Sequence, residues 1–497
     1  MCGVPVQKGS QILLTGSCEP CCCVRSKKKK ESRMAGVVDG CSYPRVHVVS
    51  RHLVRASDST IEPHVLAVSN LDLVPQPAPL SMFCIYANPA AAEFDAIVAS
   101  FESGLPSMLN HFFPLAGRVA TNPISGLPEV HCFNQGAELV VGHATGGVAL
   151  ADLDYGASLP WVQIPCGYNK HVALSVQVVS FACGGFTVAW CTNHMLVDGN
   201  ALSLLVTTWS RSSSSGTMML HAAHRPNHDR SVFRPRVPPT YGPELDQAFT
   251  RLELGNVGEE ESFVERLYYI DAHDIARLRE AATRHDKGER ATRVQAASAY
   301  LWKALARSFA AHARCRMGWV VDGRRRLTAP KKLSRGYVGN ACTLVVREAG
   351  VEEVLNMPLR DVAAMAREAV AALAYDEHFQ ELVDWVEEHK AGGQYAEAAS
   401  QGVGCPALSV TALTGFEIDT DFGFGHAAMA MPKTDARHSS GFLRIAPKPG
   451  DDGSWIVGAF VWPRLAAALE SDEPCVFKPL TADYLGLVAP KAQHSRL

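Results

Sequence analysis

The sequence predicts an α/β fold with mixed sheets, arranged in two halves. Three observations carry that expectation. Runs of apolar–polar alternation and runs with apolar residues at helical spacing are interleaved along both halves. At 497 residues the chain exceeds what a single hydrophobic core usually serves. Between about residues 211 and 261 the composition shifts to serine, proline and scattered charge, which makes a poor core and a good crossover.

The elements follow in order. Residues 83–88 read as a strand, and 91–109 as mostly helix, with Phe94, Ile97, Val98 and Phe101 on one face. Residues 174–182 alternate apolar and polar, Cys183-Gly184-Gly185 turns, and 186–191 return, which is a buried hairpin. Ala201, Leu204, Leu205 and Trp209 then recur at helical spacing. In the crossover lie Ser212 to Gly216 and the prolines 226, 235, 238, 239 and 243. Beyond it, 266–270 read as a strand, and 274–284 and 294–311 as helices. Helices at 359–373 and 377–390 set charged residues opposite alanine-rich or apolar faces. Strands return at 408–413, 441–446 and 455–461. The expected division is a disordered extension over 1–42, one domain over 43–211, a linker over 212–262 and a second domain over 263–497. No internal repeat is visible.

Composition excludes several classes. The chain is 47% hydrophobic and 20% charged with a net charge of −3, which suits a soluble globular enzyme. No basic stripe suggests nucleic acid, and no apolar run of about 18 residues is present to span a bilayer. The segment 1–33 differs. Cys18, Cys21, Cys22 and Cys23 crowd beside the basic run Lys27 to Lys30. Palmitoylation at an anionic membrane surface is one reading of that tail, and a metal site is another. No partner cluster closes a metal site, however, and the plainer reading is a disordered tail or an upstream start, with Met34 as initiator. Ile12-Leu13-Leu14 is too short for a secretory signal. The fifteen cysteines, an odd number and mostly isolated in apolar strands, read as reduced thiols of a cytoplasmic protein.

The most informative stretch is Trp190-Cys191-Thr192-Asn193-His194-Met195-Leu196-Val197-Asp198-Gly199. Its HxxxDG pattern sits where the hairpin ends and a helix begins, so backbone groups there can fix an imidazole. A neutral imidazole titrates near working pH and suits removal of a proton from an attacking hydroxyl or amine. The alternative is structural: a histidine closing a strand, and Asp198 capping the helix that starts at Gly199.

Towards the C-terminus lies Asp421-Phe422-Gly423-Phe424-Gly425. HxxxDG in mid-chain followed by a DFGWG-like motif resembles the plant BAHD acyl-CoA-dependent acyltransferases. His111-Phe112-Phe113-Pro114-Leu115-Ala116-Gly117-Arg118 resembles that family's YFPLAGR block. Val321 to Leu327 resembles VDxRxRL, Gly336-Tyr337-Val338-Gly339-Asn340 resembles GYFGN, and Gln295 to Trp302 resembles the preceding helix. The blocks are collinear from about Val48 to Leu487, nearly the whole chain. The resemblance implies two chloramphenicol-acetyltransferase-like domains, with His194 in an interdomain channel open at both ends.

The same resemblance implies a monomer that takes acyl-CoA as co-substrate and binds no metal or permanent cofactor. His194 acts as general base, with no covalent acyl-enzyme. Asp198 points away from the reaction and pairs with an arginine of the VDxRxR block, Arg324 first and Arg326 second. Gly199 supports the site, and Asp421, Gly423 and Gly425 form a structural turn. Phe424 replaces the usual tryptophan, which removes an indole N–H donor. Where the family often has Ser/Thr-Trp, this chain has Thr411-Ala412, so Thr411 keeps a hydroxyl for an oxyanion or substrate and the pocket loses a ring. Tyr337, Gly339 and Asn340 are expected to floor the interface.

The rival mechanism uses a serine or cysteine nucleophile. No GxSxG elbow precedes a helix, and Cys191 reads as a core thiol. Two other functions stay open. A carrier-protein condensation domain shares the HxxxDG core but usually has a second histidine where this chain has Asn193. A non-catalytic binding protein would have no need to keep His194, Asp198 and Gly199. The acyl group and acceptor are not legible; hydroxycinnamoyl or benzoyl groups and specialised alcohols or amines are the family's range.

Overall fold

The computed structural model describes residues 45–87, 93–156, 171–215, 225–251, 263–328, 333–393, 395–434, 439–450 and 452–488. The expected extension over 1–42, with its cysteine cluster, lysine run and Met34, lies outside the described residues.

Two mixed sheets organise the rest. The first has six strands, in the order Val46–Val54, Ala137–Ala144, Leu174–Ser180, Phe186–Asn193, Pro79–Tyr86 and Met429–Thr434. Ala137–Ala144 and Leu174–Ser180 run parallel, and the other neighbours are antiparallel. The second has seven: Cys342–Gly350, Arg314–Asp322, Ala407–Ala412, Gly441–Pro447, Trp455–Val461, Val264–Ile270 and Lys478–Pro479. Here Ala407–Ala412 is parallel to both neighbours, so the sheets are mixed as expected.

The expected hairpin is present, with Leu174 opposite Thr192 and Ser180 opposite Phe186. Its turn needs glycine twice. Gly184 has φ +79°, and a Cβ on Gly185 would lie 2.9 Å from the Tyr86 carbonyl oxygen. The helix Phe94–His111 buries Ile97, Phe101, Leu105, Met108 and Leu109 in the first core. The second core gathers side chains from Ala272–Ala281, Arg293–Ser308 and Leu359–Ala371, with Trp302 and Leu301 fully buried. Of the four residues expected on the buried face of the first helix, Ile97 and Phe101 are buried, whereas Phe94 and Val98 are only half-buried.

Three segments differ from expectation. The helix after His194 spans Gly199–Ser215 rather than ending near Trp209. Ser212 and Ser213 donate back to the carbonyls of Thr208 and Trp209 at 2.8 and 3.2 Å, so hydroxyls that ordinarily weaken a helix satisfy themselves along it. The crossover is not featureless. It forms the short helix Glu244–Ala248 and the strand Phe249–Arg251, which pairs with Tyr395–Glu397. Finally, Met429–Thr434 is an edge strand of the first sheet, paired with Pro79–Tyr86. Pro432 obscures it in the sequence, because a proline inside an apolar run argues against a strand unless that strand is at an edge.

Candidate active site

The strand Phe186–Asn193 delivers His194 to a tight turn. His194 N donates to the Ala78 carbonyl at 2.9 Å, extending the pairing of Asn193 with Pro79 by one residue. Met195 N donates to the Asn193 side-chain oxygen at 3.0 Å and Leu196 N to the Asn193 carbonyl at 2.9 Å, which closes the turn. Both readings of Asp198 are then realised together. Its Oδ1 accepts from Ala201 N at 3.0 Å, as the cap of Gly199–Ser215. It also faces Arg324, with Nη1–Oδ2 at 2.7 Å and Nη2–Oδ1 at 3.1 Å, a two-pronged ion pair buried on both sides.

Arg324 is the partner expected first. Arg326 instead lies over the Tyr375 ring at 5.2 Å. Arg324 further donates to Asp322 Oδ1 at 3.1 Å and to the carbonyls of Tyr337 and Gly339 at 2.9 and 3.0 Å. Burial works against its charge, but Asp198 and Asp322 outweigh that cost and hold the guanidinium firmly protonated. Gly199 stands under the Leu413 side chain, which a Cβ would meet at 3.4 Å.

His194 itself is half-buried. Its Nδ1 lies 3.2 Å from Asn340 Oδ1. The amide orientation is fixed by what surrounds its other end. Asn340 Nδ2 donates to Asp72 Oδ1 at 3.1 Å, the His194 carbonyl at 2.9 Å and the Met195 carbonyl at 3.3 Å, and all three can only accept. Oδ1 therefore faces the ring as an acceptor, which suits the tautomer with its proton on Nδ1 and its lone pair on Nε2. The ionisation of His194 is pulled below the usual imidazole range. Desolvation is the main cause, opposed by its own backbone hydrogen bond, Asp198, Asn340 and Asp72.

Three participants are not found by sequence reasoning. Asn340, expected only in the interface floor, touches the ring. Asp72, fully buried, accepts from Asn340 N at 2.9 Å. Arg230, also buried, donates to Asp72 and, through Nη2, to the Leu196 carbonyl at 3.0 Å. A local signal for Asp72 exists: Ser69-Asn70-Leu71-Asp72 forms a capping box. Arg230 has none, because it lies in the crossover. That segment is threaded onto the GYVGN block, with Asn227 N donating to the Gly336 carbonyl at 2.8 Å and Val338 N to that of Asn227 at 2.7 Å.

The remaining expected residues lie elsewhere. Thr411 sits on Ala407–Ala412, partly exposed and opposite Arg444, with no hydrogen bond to His194. Asp421 caps its own turn, its Oδ1 accepting from the backbone N–H groups of Gly423, Phe424 and Gly425 at 2.8, 3.1 and 3.0 Å. Gly423 and Gly425 have φ of +90° and +94°, which only glycine adopts without strain. Asp421 N donates to Ser210 Oγ, roughly 16 Å along the helix axis from Gly199 at about 1.5 Å per residue.

One correction concerns Cys191. It is disulfide-bonded, so it is not a core thiol and the fifteen cysteines are not all reduced as expected; the spacing of the cysteines does not announce that pairing. Seven other cysteines among the described residues are free. Among those residues, no cluster of three His, Cys, Asp or Glu is placed to hold a metal, and no helix is long and apolar enough to cross a membrane.

A cleft meets this site at Asp72 and Met195. Leu73 to Pro77 form one wall, and Phe249, Trp385, His389 and Tyr395 another. Trp385 stacks on both Phe249 and His389, with ring centres 4.5 and 4.2 Å apart.

The chain resembles known proteins over most of its length. Residues 44–470 match the Transferase family. Over 454 residues the chain is 29% identical to putrescine hydroxycinnamoyltransferase of Oryza sativa subsp. japonica, covering 84% of this chain and 96% of that one. It is 26% identical over 359 residues to omega-hydroxypalmitate O-feruloyl transferase of Arabidopsis thaliana, covering 67% and 73%. TRI101 of F. graminearum, solved in complex with ethyl coenzyme A, superposes with a TM-score of 0.70 at 16% identity, covering 83% of this chain and 98% of that one, which shows a common fold. Matched over most of its length, with the histidine turn, its arginine and the glycine-flanked loop all inside the match, the chain belongs to the Transferase family of acyl-CoA-dependent BAHD acyltransferases.

Proposed function

We propose that the protein transfers an aromatic acyl group, of the hydroxycinnamoyl or benzoyl kind, from its coenzyme A thioester to an amine or hydroxyl of a small specialised metabolite. The observation that carries the mechanism is Asn340 Oδ1 at 3.2 Å from His194 Nδ1, an acceptor that favours the proton on Nδ1 and so leaves Nε2 as the base. Nε2 removes the acceptor's N–H or O–H proton as its nitrogen or oxygen bonds to the thioester carbon. The tetrahedral adduct then expels the coenzyme A thiolate, which takes that proton back from the imidazolium. No acyl-enzyme forms. Positioned base catalysis contributes roughly 10²–10⁴-fold, and alignment of the two substrates supplies much of the rest. Thr411 is the hydroxyl we assign to the developing oxyanion or the bound substrate.

Support for the substrate range comes from the relatives' names. One acts on putrescine, an amine; one is an O-feruloyl transferase; and a third is anthranilate N-benzoyltransferase of Dianthus caryophyllus. The aromatic wall of the cleft suits a planar ring. We also read the chain as a cytoplasmic monomer of two domains, residues 43–211 completed by the returning strand Met429–Thr434 and the remainder of 263–497, joined by 212–262. The decisive experiment offers hydroxycinnamoyl-, benzoyl- and acetyl-CoA with a panel of amines and alcohols and follows thiol release. Acceptor-dependent release with an aromatic donor is expected. Release that is independent of any acceptor, or none with any aromatic donor, would contradict the assignment.

A further inference from the structure

The turn that carries His194 is gripped by a second buried ion pair. Its three successive carbonyls are all occupied from the side of Asp72. Those of His194 and Met195 accept from Asn340 Nδ2, and that of Leu196 accepts from Arg230 Nη2. Asp72 collects five donors. Oδ1 takes Asn340 N and Nδ2, and Oδ2 takes Ser69 N and Oγ, each at 2.7 Å, together with Arg230. The segment Asn70–Leu73 is itself anchored, with Asn70 Nδ2 donating to the Val383 carbonyl and to Glu387, both at 2.8 Å.

We infer that Asp72 is a positioning residue: acting through the Asn340 amide, it holds His194 as the Nδ1–H tautomer and so keeps Nε2 bare for the reaction. This rests on His194 being the base. The physical reason lies in the amide, whose two ends differ only in donor and acceptor character. Turned over, Asn340 would present Nδ2 to the ring, accept no proton from Nδ1, and force the proton onto Nε2. An ionised carboxylate can only accept, so Asp72 opposes that turn and adds charge to the hold of the His194 and Met195 carbonyls on the same Nδ2. Arg230 and Ser69 hold the carboxylate in place, and Arg230 balances its charge. Asp198 and Arg324, the other charged pair beside the turn, act on the neighbouring backbone through Ala341 N at 3.1 Å and make no bond to the Asn340 amide.

The test reads tautomer and rate separately. In protein with ¹⁵N-labelled histidine, the His194 signals are assigned by their loss in His194→Gln and recorded above the imidazole's ionisation. Wild type is expected to carry its proton on Nδ1. Asp72→Asn is expected to shift the proton towards Nε2 and to lower kcat about 10²-fold, at the lower end of a positioned base's contribution, with KM for acyl-CoA unchanged. Should the stranded Arg230 prevent folding, Asp72→Asn with Arg230→Gln removes both charges together and is read in the same way. A proton on Nε2 in wild type, or variants with the wild-type tautomer and rate, overturns the role of Asp72. Turnover persisting in His194→Ala would instead overturn the base assignment itself.

Discussion

The loop around Asp198 and the loop around Asp421 share a vocabulary, an aspartate beside glycine at a tight turn, and use it in opposite ways. Asp198 spends one oxygen on its own helix and gives both to Arg324, far away in the other half of the chain. Asp421 gives one oxygen to three N–H groups of its own turn. The long-range work of the second loop is done by Phe422. It is buried against Phe101, Trp190 and Trp209 at ring distances of 4.9, 5.6 and 5.9 Å, and so braces the strand and helix that flank His194. Charge joins the halves at one loop and aromatic packing fastens the other. A motif's most recognisable residue is therefore not always the one that carries its role.

The largest expected effect lies at the first loop. His194→Ala should lower turnover by roughly 10²–10⁴-fold while acyl-CoA binding, measured by calorimetry, stays within a few-fold. Retention of more than about a tenth of the activity would remove the chemical distinction between the loops. Asp198→Ala and Arg324→Ala should each destabilise by about 3–5 kcal/mol, because each strands a buried charge. Thermal melts of the double variant should show a loss well below the sum. Any surviving activity should keep an acid limb that belongs to His194, displaced to lower pH in Asp198→Ala because that carboxylate favours the imidazolium. Because His194 titrates below the ordinary imidazole value of about 6.5, its base form persists as pH falls, and the rate should decline only below that value.

At the second loop the balance reverses. Phe422→Ala should cost about 3–5 kcal/mol in a denaturant melt, yet leave kcat per folded molecule near wild type well below the transition. A collapse of kcat without a stability loss would mean that the loop is part of the chemistry. Asp421→Ala is the mildest change. Its side-chain bonds to the turn are local, its backbone bonds to Ser210 survive the change, and the turn is largely exposed, so a loss of about 1 kcal/mol and unchanged kinetics are expected.

The comparison also shows what a sequence exposes. The hairpin, the buried helix faces, His194 and the Asp198–Arg324 pair are legible because period, spacing and family blocks mark them. Asp72, Arg230 and the Met429–Thr434 strand are not. Asp72 has only a capping box to announce it, Arg230 hides in a proline-rich crossover, and Pro432 disguises the strand. All three act through partners remote in the chain, as the pairings Arg230–Asp72, Asn340–Asp72 and Met431–Phe83 show. No local pattern can encode such a pairing. Asn340 illustrates a further gap, since its place in a family block is visible but the direction of its amide is not.

The last strand of the first sheet has a consequence for how the protein is made. Strand Pro79–Tyr86 waits for Met429–Thr434, and the pairing of Phe83 with Met431 joins an early segment of the chain to a late one. At about 5–20 residues per second, synthesis leaves that apolar edge open for tens of seconds after its own neighbours have emerged. An open edge of Met82, Cys84 and Ile85 is a template for another chain. The nascent protein thus depends on protection until Met429–Thr434 is translated, and a fragment cut at the crossover carries the same unfinished edge permanently.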